Sequence, residues 1–231
     1  MKKYIRVLFV LPVLIMMTGA ITGQNKKKKN NEDFIRETTG TIDFGKTKAL
    51  AYTPEIRKSM QKLYHDKFGM FVHFGPYAQL GGYWKGEKVS AEWIMKRGEI
   101  SISDYEREAA GKLKPTDFNA SDWVSIAKKG GMKFVVATAK HHDGFSMYKS
   151  SNPYNLVDFA GFNRDIMKEL SVECKKQDLG LGFYYSQSQD WHEEGAVGND
   201  WDFPKKKPQE KFDAYFNSKV VPQVTELAEN Y

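Results

Sequence analysis

"KFVVATAKHHDGF", residues 133–145, runs an unbroken apolar stretch directly into two histidines and an aspartate. The stretch from Lys133 to Ala139 is short and does not alternate with polar residues. It therefore predicts a parallel strand covered on both faces rather than a half-solvated antiparallel one. Two further runs share this character: Met70 to Phe74, bounded by Gly69 and Gly75, and Leu181 to Ser186.

Helical patterns separate the runs. Thr53-Pro54-Glu55 combines an N-cap threonine, a proline at the first helical position and an acid in the first turn, and Ile56, Met60, Leu63 and Tyr64 follow at helical spacing. Ser121 to Lys129 forms a second helix that stops at Gly130-Gly131. Asn163 is expected to cap a third, bearing Ile166, Met167, Leu170 and Cys174 and closed by Gly180. Ser103-Asp104-Tyr105-Glu106 reads as a capping box for a short extra helix. A final helical region carries Phe212, Phe216, Val220, Val224 and Leu227, with Pro222 expected to kink or split it. Strands alternating with helices predict a parallel α/β protein.

The bulk numbers agree with a folded globule. Hydrophobic residues make up 41% and aromatics 14% of the 231 positions. The formal charge of +6 is unevenly placed. Lys2, Lys3 and Arg6 sit in the leader, Lys26 to Lys29 form one run, and the remainder is close to neutral, so nucleic acid is not the expected partner. The basic start, the apolar Val7 to Met17 and the small residues Thr18-Gly19-Ala20 and Gly23 have the layout of a secretory signal peptide over residues 1–23; an uncleaved anchor is the other reading. A secreted or periplasmic chain is expected, with no stable membrane insertion after cleavage. Residues 24–48 read as a basic linker or disordered lead-in. The single cysteine, Cys174, cannot form an internal disulfide and falls on an apolar helix face, as an inert buried thiol.

All three strands end in chemically useful groups: His73 to Tyr77; Lys140 to Phe145; and Tyr184 to Ser186, with Asp190-Trp191-His192 just beyond. Parallel α/β folds bind ligands at this end of the sheet. Each residue alone has a plain structural reading. His73 suits a core histidine, Asp143-Gly144 a turn, and Trp93 and Trp191 packing. His141 and His142 alternate in direction, so a bend is needed to aim both at one place. A metal site is the sharpest rival, but adjacent histidines rarely share one ion from a regular strand, and the first strand offers a single histidine. No serine elbow, phosphate loop or cysteine pair is present. A carbohydrate site fits better, since sugars need both hydrogen-bonding groups and aromatic walls. No cofactor and no metal are expected.

These motifs resemble a known family. "KFGMFVHFGPY" (67–77), "EW" (92–93), the stretch 118–145 that ends in "AKHHDGF", and "GFYYS" (182–186) resemble the α-L-fucosidases of glycoside hydrolase family 29. The resemblance implies a (β/α)8 TIM-like barrel, of which residues 49–231 would be the N-terminal part with only the first three strand–helix units present. It also implies an exo-acting, retaining, two-carboxylate mechanism on terminal fucose. His73, Glu92, Trp93, His141, His142 and Tyr184 match the family's substrate-binding positions: the histidines and Glu92 to hold ring hydroxyls, Trp93 as a wall, and Tyr184 rather than Tyr185 toward the sugar. The family's nucleophilic aspartate follows a helix resembling residues 222–231, and its acid/base glutamate comes later. Both are expected beyond Tyr231, so no catalytic residue is assigned and the chain as it stands is expected to be catalytically incomplete. A fucosylated oligosaccharide or glycoconjugate is the expected partner, and the oligomeric state stays open. The alternative is a non-catalytic relative that binds fucosylated glycans.

Overall fold

The structure, a computed structural model, describes residues 54–205 and 208–231. The expected signal peptide (1–23), the lead-in (24–48) and the Thr53 cap lie outside the described residues. The chain divides into a unit that contains Leu11–His65 and one that contains Asp66–Tyr231. In the first, the described residues are 54–65, which belong to helix α1 (Pro54–Asp66); the helix opens on a proline whose missing N–H costs nothing there.

The second unit is built on three parallel strands: β1 (Gly69–Val72), β4 (Phe134–Lys140) and β5 (Gly180–Tyr185), in the order β1-β4-β5. Phe71 stands opposite Val136 and Val136 opposite Gly182, while Met70, Val135 and Leu181 fill the neighbouring row. Strand side chains alternate between faces, so the rows separate into two surfaces. Val135, Ala137 and Ala139 meet α4 (Ala120–Lys129) and α5 (Ile166–Lys176) in the main core, where Val124, Ala127, Leu170 and Cys174 are almost fully buried. Each large apolar side chain buried there contributes about 1.5–3 kcal/mol. On the opposite face Phe71 is 48% exposed. β1 is shorter than expected: ladder pairing stops at Val72, and Gly75-Pro76 turns the chain into a 3-10 turn, Pro76–Leu80.

Two expected caps fall in a different register. The cap of α5 is Asp165, not Asn163; its carboxylate accepts from the Lys168 amide at 3.0 Å. An anion next to the helix start satisfies that amide and the macrodipole together, which an exposed amide side chain two residues earlier cannot. The insert helix is α3 (Ile102–Glu108), and its cap is Ser101, accepting from the Asp104 amide at 3.2 Å. The capping serine thus stands two residues before the expected Ser103, and the Asp104 carboxylate pairs with Arg107 rather than closing a box.

The last helical region splits as Pro222 predicts: α6 (Gln209–Tyr215), a π-turn Phe216–Val220, and α7 (Val221–Asn230). The wide turn shifts the phase of the helix, so Lys219 and Val220, neighbours in sequence, are both buried. Phe216, expected on the apolar stripe, is instead 36% exposed. A small hairpin, β2 (Tyr83–Trp84) and β3 (Glu87–Lys88), turns at Lys85-Gly86 with both φ angles positive, as a two-residue primed turn requires. Between β3 and α3 lies the short helix α2 (Ile94–Arg97), whose cap position is Trp93.

Candidate active site

The irregular end of β4 positions the histidine pair. Thr138 pairs with Tyr184 but Lys140 pairs with Tyr185, so the ladder slips by one residue between them. His141, His142 and Asp143 then form a turn closed by the Gly144 amide on the His141 carbonyl at 3.1 Å, with Gly144 at φ +78°. This is the bend that a regular strand could not supply. The His141 and His142 rings come to lie 4.3 Å apart.

The remaining expected residues gather around this pair. His73, just past β1, lies 5.5 Å from His141 and 5.6 Å from Tyr184, and Tyr184 stacks on His141 at 5.4 Å. Trp93 meets His142 edge-on at 5.0 Å. Glu92 lines an open cleft of about 490 Å³ together with His73 and Tyr77, and its charge acts on both and on Tyr184. All six expected positions therefore meet at the C-terminal edge of the sheet. Tyr185 points the other way, into the helix layer, where its hydroxyl donates to Gln223 Oε1 at 2.7 Å.

Burial sets the electrostatics. It pushes His141 down to about 2, aided by the neighbouring His142, His73 and Lys140. It pushes His142 down to about 4, with Lys140 and Lys96 acting in the same direction. His73 is also lowered by burial, with Glu92 pulling it back up. Near neutral pH the three rings are uncharged, each offering one N–H donor and one bare nitrogen acceptor. His141 Nδ1 is buried with no protein partner. A set of neutral donors and acceptors beside one carboxylate and a tryptophan edge suits a ligand with several hydroxyls.

The other carboxylates near the cluster are occupied. Asp143 is buried, accepts from the Tyr105 hydroxyl at 2.8 Å and the Phe145 amide at 3.2 Å, and is pushed up to about 6 by desolvation. Asp190 is fully buried between two ammonium groups, Lys140 Nζ at 2.9 Å and Lys219 Nζ at 3.0 Å. Burial opposes its ionisation, yet the two lysines outweigh burial and hold its carboxyl at about 2. Lys219 also reaches Glu193 at 3.0 Å.

Sequence reasoning passed over this buried Lys–Asp–Lys cluster. The signal for it was a lysine at the end of an apolar strand and another within an apolar helical stripe. Ser186, buried beside His142, received no role either. His192 stands apart from the other strand-end histidines: it stacks on Tyr154 at 3.8 Å and bonds Glu106 at 2.9 Å. Trp191 is fully buried, a packing wall against His142 at 5.4 Å. Cys174 is free and buried, its thiol pushed up to about 11 by burial. Among the described residues no three His, Cys, Asp or Glu side chains form a metal-ligating group, and no helix is long and apolar enough to cross a membrane.

Residues 45–231 match the α-L-fucosidase family model. The chain belongs to the α-L-fucosidase family. Human plasma α-L-fucosidase is 32% identical over 176 residues, which covers 71% of this chain and 36% of that protein. An α-L-fucosidase of Dictyostelium discoideum is 33% identical over 141 residues, covering 52% and 29%. The chain thus spans about a third of the length of these curated relatives. Among solved structures, an α-L-fucosidase from Vibrio sp. strain EJY3 is 40% identical with a TM-score of 0.70, covering 76% of this chain and 31% of its own. The α-L-fucosidase AlfC from Lactobacillus casei, in complex with α-L-fucose product, is 38% identical with a TM-score of 0.69, covering 74% and 58%. These neighbours share the mixed α/β fold with its parallel sheet.

Proposed function

We propose that this chain carries the sugar-recognition part of a secreted, exo-acting, retaining α-L-fucosidase that removes terminal fucose from glycans. The observation that carries the reading is the convergence of His73, His141, His142, Tyr184, Glu92 and Trp93 at one edge of the sheet. In this reading the neutral imidazoles and Glu92 hold the ring hydroxyls, and Trp93 shields the apolar side of the sugar. Residues 1–23 direct export, 24–48 form the lead-in, and 49–231 form the front of a (β/α)8 barrel. The exposed Phe71 supports the barrel, since it is what an inward-facing strand residue presents when further strands are needed to enclose it.

The retaining reaction needs two carboxylates about 5–5.5 Å apart, one to attack the anomeric carbon and one to donate and then accept the proton. Asp143 is committed to Tyr105 and a backbone amide, and Asp190 to two lysines, so neither is free for attack. We assign both catalytic carboxylates to chain outside these 231 residues. The test combines calorimetric titration of the folded 231-residue polypeptide with L-fucose and an assay for hydrolysis of 4-nitrophenyl α-L-fucoside. Binding without turnover is expected. Turnover would overturn the assignment of the carboxylates, and a folded protein without affinity for L-fucose would overturn the assignment of the pocket.

A further inference from the structure

We propose that Ser186 is a positioning residue that fixes the tautomer of His142, so that His142 Nε2 meets the ligand as an acceptor for a sugar hydroxyl. The inference rests on the fucose-binding reading above and specifies one of its contacts. Ser186 follows β5 and is 5% exposed. Its Oγ stands 2.7 Å from His142 Nδ1 and 2.6 Å from the Gln189 carbonyl oxygen. A hydroxyl has one hydrogen, and a carbonyl oxygen can only accept. At 2.6 Å two oxygens repel unless a proton lies between them, so the Ser186 hydrogen points at Gln189. The serine can then only accept from the imidazole, and Nδ1 carries the proton.

A neutral imidazole has a single N–H, and burial keeps this one neutral down to about pH 4. Nε2 is therefore bare, and among the described residues no protein hydrogen bond engages it. The rest of the arrangement is rigid. The Ser186 amide donates to the Lys140 carbonyl at 3.0 Å, which sets the serine directly beside the histidine turn. The Trp191 amide donates to the His142 carbonyl at 2.6 Å, and Trp93 and Trp191 flank the ring. A bare Nε2 accepts from a hydroxyl and repels a carbonyl or carboxylate oxygen at the same place. The site thus discriminates between a polyol and an oxidised or acidic sugar through one fixed proton.

The experiment is a long-range ¹H–¹⁵N correlation spectrum of the full chain with labelled histidine, without ligand at pH 7, beside calorimetric titration with L-fucose. In the wild type we expect a protonated Nδ1 and a bare Nε2 on His142; the reverse tautomer would overturn the proposal without any variant. Ser186→Ala should mix the tautomers and weaken L-fucose binding about two- to fivefold, the inverse of the fraction of His142 left with a bare Nε2. Ser186→Thr, which keeps the hydroxyl, should restore both readouts. An alanine variant with an unchanged tautomer or unchanged affinity would also overturn it. A correct tautomer in a folded protein that does not bind L-fucose would instead overturn the choice of ligand and leave the acceptor assignment standing.

Discussion

Removing the charge of Asp190 while keeping its shape, as Asp190→Asn, should cost far more than an ordinary polar substitution. Lys140 Nζ lies 2.9 Å and Lys219 Nζ 3.0 Å from the same carboxylate oxygen, so the two ammonium groups are at most about 6 Å apart. At an effective dielectric constant of about 20, two positive charges at that separation repel by about 3 kcal/mol or more. Lys219 keeps Glu193 at 3.0 Å, but Lys140, fully buried, is left with the Tyr215 hydroxyl at 3.4 Å, the Tyr185 ring and the more distant charge of Asp143. Breaking a buried ion pair from one side typically costs about 3–5 kcal/mol, and we expect a loss in that range. Urea denaturation at pH 7 reads it as a lower midpoint with an unchanged slope. The variant should also gain stability from pH 7 toward 10. Burial already holds Lys140 below its ordinary value, and without Asp190 it falls further. A base lowered on folding is charged in the unfolded chain first, so its penalty fades as pH rises. A loss under about 1 kcal/mol, or one independent of pH over that range, would refute the cluster as an electrostatic unit.

Three further outcomes follow from the geometry. Tyr185→Phe should lose about 1 kcal/mol of stability through its bond to Gln223 and leave L-fucose affinity unchanged, whereas Tyr184→Phe should weaken affinity with little change in stability; calorimetry and urea titration of both variants would expose a reversed pattern. Gly144→Ala should destabilise by roughly 2–4 kcal/mol, because φ is +78° and an added Cβ would overlap the Asp190 carboxylate; an unchanged melting temperature would contradict this. His142 is lowered to about 4 on folding, so between its ordinary 6.5 and 4 the unfolded chain binds the proton first. Its contribution to stability is therefore complete above about pH 6.5 and lost as pH falls toward 4. L-fucose affinity should be flat down to about pH 5 and fall through 4, and an NMR titration of His142 centred near 6.5 would be inconsistent with its burial.

The alternation of strands and helices was legible because buried parallel strands carry unbroken apolar runs, as Phe134 to Ala137 is, and because Gly75-Pro76 and Gly130-Gly131 punctuate the pattern. The six candidate positions came from motif resemblance, and four of them also from their place at the ends of the strands. Their convergence was not legible. The His141 and His142 rings come together where the ladder slips between Thr138 and Lys140 and the chain turns at Gly144, and a slip leaves no compositional mark. The lysine pair on Asp190 was hidden for another reason: Lys219 becomes internal through a π-turn, while a regular helical count leaves the choice of inward residue at that point open. The cap of α5 was misplaced because Asn163 and Asp165 are both good cap residues, and only three-dimensional reach selects the second.

The ring cage around His142 also has an optical consequence. Trp93 and Trp191 sit 5.0 Å and 5.4 Å from that imidazole and 5.5 Å from each other. A protonated imidazole in contact with an excited indole drains its emission, while a neutral one leaves it bright. These two indoles therefore report the charge of His142 without a label, and emission should dim as the solution passes below about pH 4. Trp123, packed edge-on against Phe74 and Phe118, is in ring contact with neither His142 nor the two indoles, and together with Trp84 and Trp201 it supplies the background on which the change is read. A sugar resting on the Trp93 edge would change the same signal at constant pH, so occupancy of the pocket can be followed by the protein's own light.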